Sequence, residues 1–177
     1  QLEEKQLEAQ RKLEEARISV MEEGYAKRKA TLDLQHQREL DRIAKEEKEL
    51  EKARKKANPK SGGLTDEEKR NFEERRKLAN QAYDSESIKL FDGEIEYKKR
   101  QYEAYFSWVK NVGADVANTH FKDLLANGSS FVTWVNSQIA QLEAKRSAQP
   151  NDFTAGDANA LNALRSQLNE LTGQKSD

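Results

Sequence analysis

The chain has 177 residues, of which 36% are charged and 35% hydrophobic, and its 31 basic and 32 acidic side chains leave a net charge of −1. Because the two signs alternate closely, no basic face is expected, and we predict no nucleic-acid partner. The chain has no cysteine, which excludes disulfides and thiolate metal sites. It has no run of about 18 apolar residues, so we predict no membrane contact through a spanning segment.

The first predicted element is a charged helix from Leu2 to Ala57 with a narrow apolar stripe. Its apolar residues recur at intervals of seven, as from Ile18 to Leu32 through Tyr25, and of eleven. This mixture of intervals predicts a nearly straight rod. Gly24 lies inside the helix, at a cost of about 1 kcal/mol relative to alanine. We expect either a local bend or a close neighbour there.

A turn at residues 58–64 ends this helix, because Pro59, Gly62 and Gly63 are poor helix formers. The basic run 52–56 before the turn would suit nucleic acid or anionic lipid, but we favour its complementing the negative end of the helix. After the turn, Thr65 and Glu68 have capping-box spacing. Since such a short connection joins antiparallel neighbours, we expect the basic end of one helix to meet the acidic start of the next.

An antiparallel hairpin about this turn pairs residues whose numbers sum to about 122, a register set by the short connection. It brings apolar residues opposite one another along the whole length. The predicted pairs are Leu50 with Phe72, Ile43 with Ala79, Leu32 with Leu90, Met21 with Tyr102 and Leu13 with Val109.

The second predicted helix runs from Thr65 to Asn127, and Gly128 then suits a left-handed residue at its end. Helical spacing places a set of apolar residues in its aromatic half on one face. They are Phe91, Ile95, Tyr102, Phe106, Val109, Val112, Val116 and Leu124.

Two shorter helices are predicted after Gly128. Ser129 or Ser130 caps the first, whose inner side carries Phe131, Trp134, Val135, Gln138, Ile139 and Leu142. A turn at residues 150–152 separates it from the second, which Thr154 and Asp157 open and whose leucines are Leu161, Leu164, Leu168 and Leu171. We expect these helices to cover the aromatic half of the second long helix, burying Trp108, Phe121, Phe131 and Trp134 together.

These elements predict an all-α fold, namely an elongated, coiled-coil-like antiparallel helical hairpin with a short C-terminal two-helix cap. The hairpin is residues 1–127, with its turn at 58–64, and the cap is residues 128–177. The sequence starts at Gln1 rather than methionine and ends at Lys175-Ser176-Asp177 without a stop pattern. We therefore expect a piece of a longer protein.

No motif in the sequence indicates catalysis, and we predict a non-enzyme with no catalytic, cofactor-binding or metal site. His36 and His120 have no second ligand at helical spacing, so we interpret both as packing or surface residues. The many paired carboxylates suit a solvated helix surface better than an acid–base pair. The aromatic group Tyr102, Tyr105, Phe106 and Trp108 is compatible with a membrane belt, a partner-binding patch or an oligomer contact, but internal packing is favoured.

Two segments resemble a known family. Residues Glu15 to Arg28, with the pattern I-x-x-M-x-x-G-Y-x-x-R and the long Glu/Lys helix after it, are similar to tail tape measure proteins of phages and prophages, especially those of Bacteroides-type gut bacteria. The block Phe131 to Glu143 and the leucine helix after it resemble the same proteins.

The resemblance implies a structural protein that spans the tail lumen during assembly and sets tube length, with no active site in this region. It implies tail tube or tail assembly proteins as partners, and a place in the bacterial host cytoplasm and then in the virion. Self-association is a separate expectation, because a two-helix rod leaves much apolar surface half covered. The alternative is a coiled-coil adaptor or scaffold module that binds a partner protein through its aromatic end.

Overall fold

The computed structural model describes residues 1–173, and every regular element among them is an α-helix, which confirms the predicted all-α class. The helices are α1 (Leu2–Ser19), α2 (Tyr25–Ala57), α3 (Asp66–Val112), α4 (Ala114–His120), α5 (Lys122–Leu125), α6 (Phe131–Ala148) and α7 (Ala155–Thr172). No helix in this part of the chain combines the length and apolar character needed to cross a bilayer. Lys175, Ser176 and Asp177 lie outside the described residues.

The chain divides into two compact units, Gln1–Glu86 and Ser87–Asp177. We call them the first and the second unit. The elongated shape and the domain boundary at residues 127/128 stay predictions.

The prediction of one continuous helix from Leu2 to Ala57 is wrong, because residues 20–24 separate α1 from α2. Gly24 has a φ of +148°, and a Cβ at this position would meet nothing within 4 Å. Gly24 therefore serves the change of chain direction, not a close neighbour. α1 folds back along α2, where Arg11 Nε donates to Asp41 Oδ2 at 2.8 Å. This hydrogen bond raises the pKa of Arg11 above its ordinary value.

The turn after α2 has the predicted construction. The Thr65 amide donates to Glu68 Oε1 at 2.8 Å, and the Glu68 amide donates to Thr65 Oγ1 at 3.1 Å, which is the reciprocal capping box. The hydrogen bond from the Thr65 amide is the largest cause of a lowered pKa of Glu68. Arg54 donates to Glu68 at 2.5 Å, so the basic end of α2 does meet the acidic start of α3.

Side-chain contacts between α2 and the first part of α3 run antiparallel. One core cluster joins buried Ile43, Leu64 and Phe72 with Leu50 and Ala79, and so contains the two predicted pairs nearest the turn. Farther from the turn, the Tyr83 hydroxyl donates to Asp33 Oδ1 at 2.5 Å.

The register farther from the turn needs a correction. The pairs Met21–Tyr102 and Leu13–Val109 assumed an unbroken first helix, and that assumption is wrong. The pair Leu32–Leu90 stays a prediction.

The second predicted helix is also too long, since α3 ends at Val112 and Gly113, with a φ of +96°, turns the chain into α4. The predicted apolar face consequently divides at this turn. Phe91, Ile95, Tyr102 and Leu124 are buried and Val109 is half-buried, whereas Phe106, Val112 and Val116 are exposed.

The two C-terminal helices are confirmed. Ser130 caps α6 by accepting from the Thr133 amide at 3.2 Å, and Thr154 with Asp157 forms a capping box at α7. The helices pack antiparallel, with Lys145 donating to Asp157 at 2.8 Å. Their buried apolar residues are Phe131, Trp134, Val135, Ala160, Leu161 and Leu164.

The expected single group of four buried aromatic residues is wrong. Phe131 and Trp134 are buried and stack with ring centroids 5.9 Å apart. Trp108 instead lies at the surface and contacts Phe121 edge-on at 5.6 Å. The turn at Gly113 explains the separation, because it folds the end of α3 onto α4.

Candidate functional site

The surface feature best suited to binding another protein is a group of aromatic side chains that we call the aromatic turn. It consists of Tyr105, Phe106, Trp108, His120 and Phe121. It belongs to the second unit and forms where Gly113 reverses the chain between α3 and α4. The Tyr105 hydroxyl donates to Asn118 Oδ1 at 2.6 Å and ties the two helices together.

Ring contacts fix the geometry of the aromatic turn. Trp108 stacks on His120, with centroids 4.1 Å apart and planes inclined by 15°. Phe121 meets Tyr105 edge-on at 5.7 Å. Such aromatic pairs contribute about 0.5–1.5 kcal/mol beyond the burial of their area. These ring contacts therefore help to hold the aromatic turn in its observed geometry.

Three apolar side chains in and beside the aromatic turn are exposed. Phe106, Val112 and Val116 each keep about half of their surface exposed. Exposed apolar groups of this kind suit contact with another protein surface. Of the sequence-predicted aromatic group, Tyr105, Phe106 and Trp108 lie together here, whereas Tyr102 is buried elsewhere in the second unit.

Tyr102 is buried in the interior of the second unit and contacts the backbone there. Its hydroxyl donates to the Gly128 carbonyl at 2.8 Å and lies 3.1 Å from the Leu124 carbonyl. Burial raises the pKa of Tyr102 above its ordinary value. The neutral hydroxyl is therefore the form that the folded unit favours.

The histidines occupy packing positions. His36 Nε2 lies 2.8 Å from Asn80 Oδ1, and its ring stacks on Tyr83 with centroids 4.2 Å apart. His120 stacks on Trp108. Within residues 1–173, no three His, Asp or Glu side chains gather into a group that could hold a metal ion. The interpretation of both histidines as packing or surface residues agrees with these contacts.

Sequence reasoning missed two residues that organise these regions. Tyr83 is buried on the inner stripe of α3, four residues after Ala79, and that spacing was an available signal. Gly113 gave a weaker signal, since a glycine inside a helical pattern is tolerated at a cost of about 1 kcal/mol.

Comparisons with protein-family models, with curated proteins and with solved structures return no match, so the function is argued from the residues, their geometry and the resemblance of the two sequence segments.

Proposed function

We propose that the chain is a structural, non-catalytic segment of a phage tail tape measure protein and that it acts in tail assembly. Its partners are then the tail tube and tail assembly proteins, first in the cytoplasm of the bacterial host and later in the virion. The resemblance of residues 15–28 and 131–143 to such proteins supports the family. Both segments lie in or beside helices, α1–α2 and α6.

The observation that supports the proposal is the high helical content of residues 1–173. α2 has 33 residues and α3 has 47, and short turns join them to the other helices. A protein that measures length needs a contour that grows in proportion to residue number. An α-helix provides this, at about 1.5 Å per residue.

The exposed aromatic turn favours a second candidate, the adaptor or scaffold module. In that case the apolar side of Phe106, Val112 and Val116 binds a partner protein, and the helices of the first unit serve as a spacer. The two candidates differ in a measurable way. A ruler depends on how many residues are present, whereas an adaptor depends on the aromatic turn.

Two in-frame deletions in the phage gene test the ruler. Deletion of residues 2–63 removes 62 helix-rich residues, or about 93 Å of contour, and deletion of residues 2–125 removes about 186 Å. We expect tails shortened in the ratio one to two when measured by electron microscopy. Little shortening after the 2–63 deletion, with clear shortening after the 2–125 deletion, would indicate that the antiparallel packing persists in the tail, because α3 still spans the same distance after α2 is removed.

The matched control keeps the full length and changes only the aromatic turn. Phe106→Ser with Val116→Ser alters two exposed side chains, so the fold is retained. We expect normal tail length with this variant. Tails of unchanged length after both deletions would refute the ruler. Loss of assembly with the double substitution, together with tolerance of the 2–63 deletion, would establish the adaptor instead.

A further inference from the structure

α1 and the two residues after it, Val20 and Met21, carry two stripes on opposite sides. The side chains on the inner stripe, toward α2, are half-buried, and three of the six are polar. They are Glu4, Leu7, Arg11, Glu14, Ile18 and Met21. The outer stripe is exposed and mostly apolar; it consists of Leu2, Gln6, Ala9, Leu13, Ala16 and Val20. Leu2, Leu13 and Val20 are 71%, 51% and 83% exposed. The more apolar side of α1 therefore faces away from its own chain.

The spacing of the outer stripe is that of a coiled coil. Its positions follow one another at intervals of four, three, four, three and four residues, which is the a/d pattern of a heptad repeat. Residues Glu3, Gln10 and Arg17 flank it on one side, and Lys5 and Lys12 on the other. This arrangement fits a second helix of matching period.

We infer that the outer stripe binds the same stripe of a second copy of the chain, with the two α1 helices antiparallel. This register places Leu2 opposite Val20 of the second copy, Gln6 opposite Ala16, and Ala9 opposite Leu13. Each layer of the core then joins a larger side chain to a smaller one. A parallel pair would instead stack alanine on alanine at positions 9 and 16 and leave voids there, which cost stability.

Flanking charges select the same orientation. In the antiparallel pair, flanking residues on the same side of the stripe meet, which joins Glu3 of each copy to Arg17 of the other. The single like-charged contact is Lys12 with its own counterpart. A parallel pair would bring Lys12 of each copy to Arg17 of the other, giving two repulsive contacts and no attractive one. The antiparallel pair is therefore the complementary one.

The size of the contact sets the expected strength. α1 is 18 residues long, which gives a contact of about 27 Å. Two helices of this length bury less than the roughly 1,200–2,000 Å² of a standard interface. We expect a weak dimer with a dissociation constant of about 0.1–1 mM. The inference concerns the chain alone and does not depend on a role in phage tails.

Cross-linking tests the orientation, because the chain has no cysteine and a single introduced thiol is unique. Gln10→Cys places each thiol beside its own counterpart in the antiparallel pair, so a short bismaleimide should join two copies. Arg17→Cys is the matched control from the same flank. In the antiparallel pair, Arg17 of the second copy lies opposite Glu3 of the first. The two thiols introduced at position 17 are therefore 14 residues apart along the helix, or about 21 Å. Arg17→Cys should cross-link only when mixed with Glu3→Cys.

Sedimentation of the whole chain at concentrations up to about 1 mM tests whether the outer stripe forms the dimer contact. Leu13→Glu should raise the dissociation constant at least about tenfold, since it buries a charge in the contact. Leu78→Glu is the control, because Leu78 is equally exposed, at 53%, but lies on α3. Both variants should keep the wild-type circular dichroism.

Three results would overturn the inference. The first is a wild-type chain that stays monomeric throughout this concentration range. The second is equal weakening of the dimer by Leu13→Glu and Leu78→Glu. The third is self-cross-linking of Arg17→Cys as efficient as that of Gln10→Cys.

Discussion

Replacing Tyr102 by phenylalanine removes one hydroxyl from the interior of the second unit. The side chain is 2% exposed, and its hydroxyl donates to the Gly128 carbonyl at 2.8 Å. Without this donor the carbonyl loses its partner in a place that water reaches poorly. Lost hydrogen bonds of this kind cost about 1–3 kcal/mol. We expect Tyr102→Phe to lower the free energy of unfolding of the second unit by that amount.

Intrinsic fluorescence during urea unfolding measures this effect, because the two tryptophans of the chain, Trp108 and Trp134, both lie in the second unit. Tyr97→Phe is the matched control on the same helix, since Tyr97 is 54% exposed and its hydroxyl accepts from Gln101 at 3.1 Å. We expect a change within about 0.5 kcal/mol for this surface variant. Equal stability of the two variants would refute the role assigned to the buried hydroxyl.

The pH dependence gives an independent check. Because burial raises the pKa of Tyr102 in the folded chain, the folded state holds this proton more tightly than the unfolded state. The resulting stability is complete below the unfolded pKa of about 10 and is lost as the pH rises through the folded pKa. The advantage of wild type over Tyr102→Phe should therefore shrink above about pH 10. A constant difference at all pH values would contradict this assignment.

Five further variants test the packing and the caps. Gly128→Ala should destabilise the second unit in urea melts, because its Cβ would lie 2.7 Å from the Trp134 amide nitrogen; Gly93→Ala, with open space, should be neutral or stabilising. Trp134→Ala should cost about 3–5 kcal/mol by circular dichroism, and Trp108→Ala less than half as much. Thr65→Ala should cost about 0.5–2 kcal/mol and speed amide exchange in the first turn of α3.

Local interactions were predictable from the sequence. The capping boxes Thr65/Glu68 and Thr154/Asp157 need only residues three positions apart, so their formation depends little on the rest of the fold. The turn at 58–64 was predictable for the same reason, because it depends on residues within the turn itself. The register near that turn followed from the short connection, which limits how far the two helices can slide.

The sequence predicted at most a bend at Gly24 and no turn at Gly113, because the apolar spacing continues across both breaks. Ile18 and Tyr25 are seven residues apart, and Val112 and Val116 are four apart, as in an unbroken helix. Periodicity reports which residues share a face, but not whether the chain continues straight. A glycine inside a helix costs only about 1 kcal/mol, so tertiary packing decides between a helix and a turn.

The partners of Tyr102 could not be predicted either. Its hydroxyl meets carbonyls 22 and 26 residues farther along the chain, and their positions depend on the turn at Gly113. The same dependence explains the aromatic turn. The sequence shows that these aromatic residues lie close together along the chain. The chain reversal at Gly113 determines which of them are buried and which are exposed.

The attachment of α1 to α2 makes the first unit sensitive to ionic strength. Besides the bond between Arg11 and Asp41, Arg38 donates to Glu8 at 3.2 Å and to Glu15 at 3.4 Å. Charges near the surface are screened over about 3 Å in 1 M salt, compared with about 8 Å at physiological strength. Concentrated salt should therefore release α1 while the Ile43–Leu64–Phe72 cluster keeps α2 and α3 together. We therefore predict that α1 is a separate cooperative segment of low local stability, which opens without global unfolding.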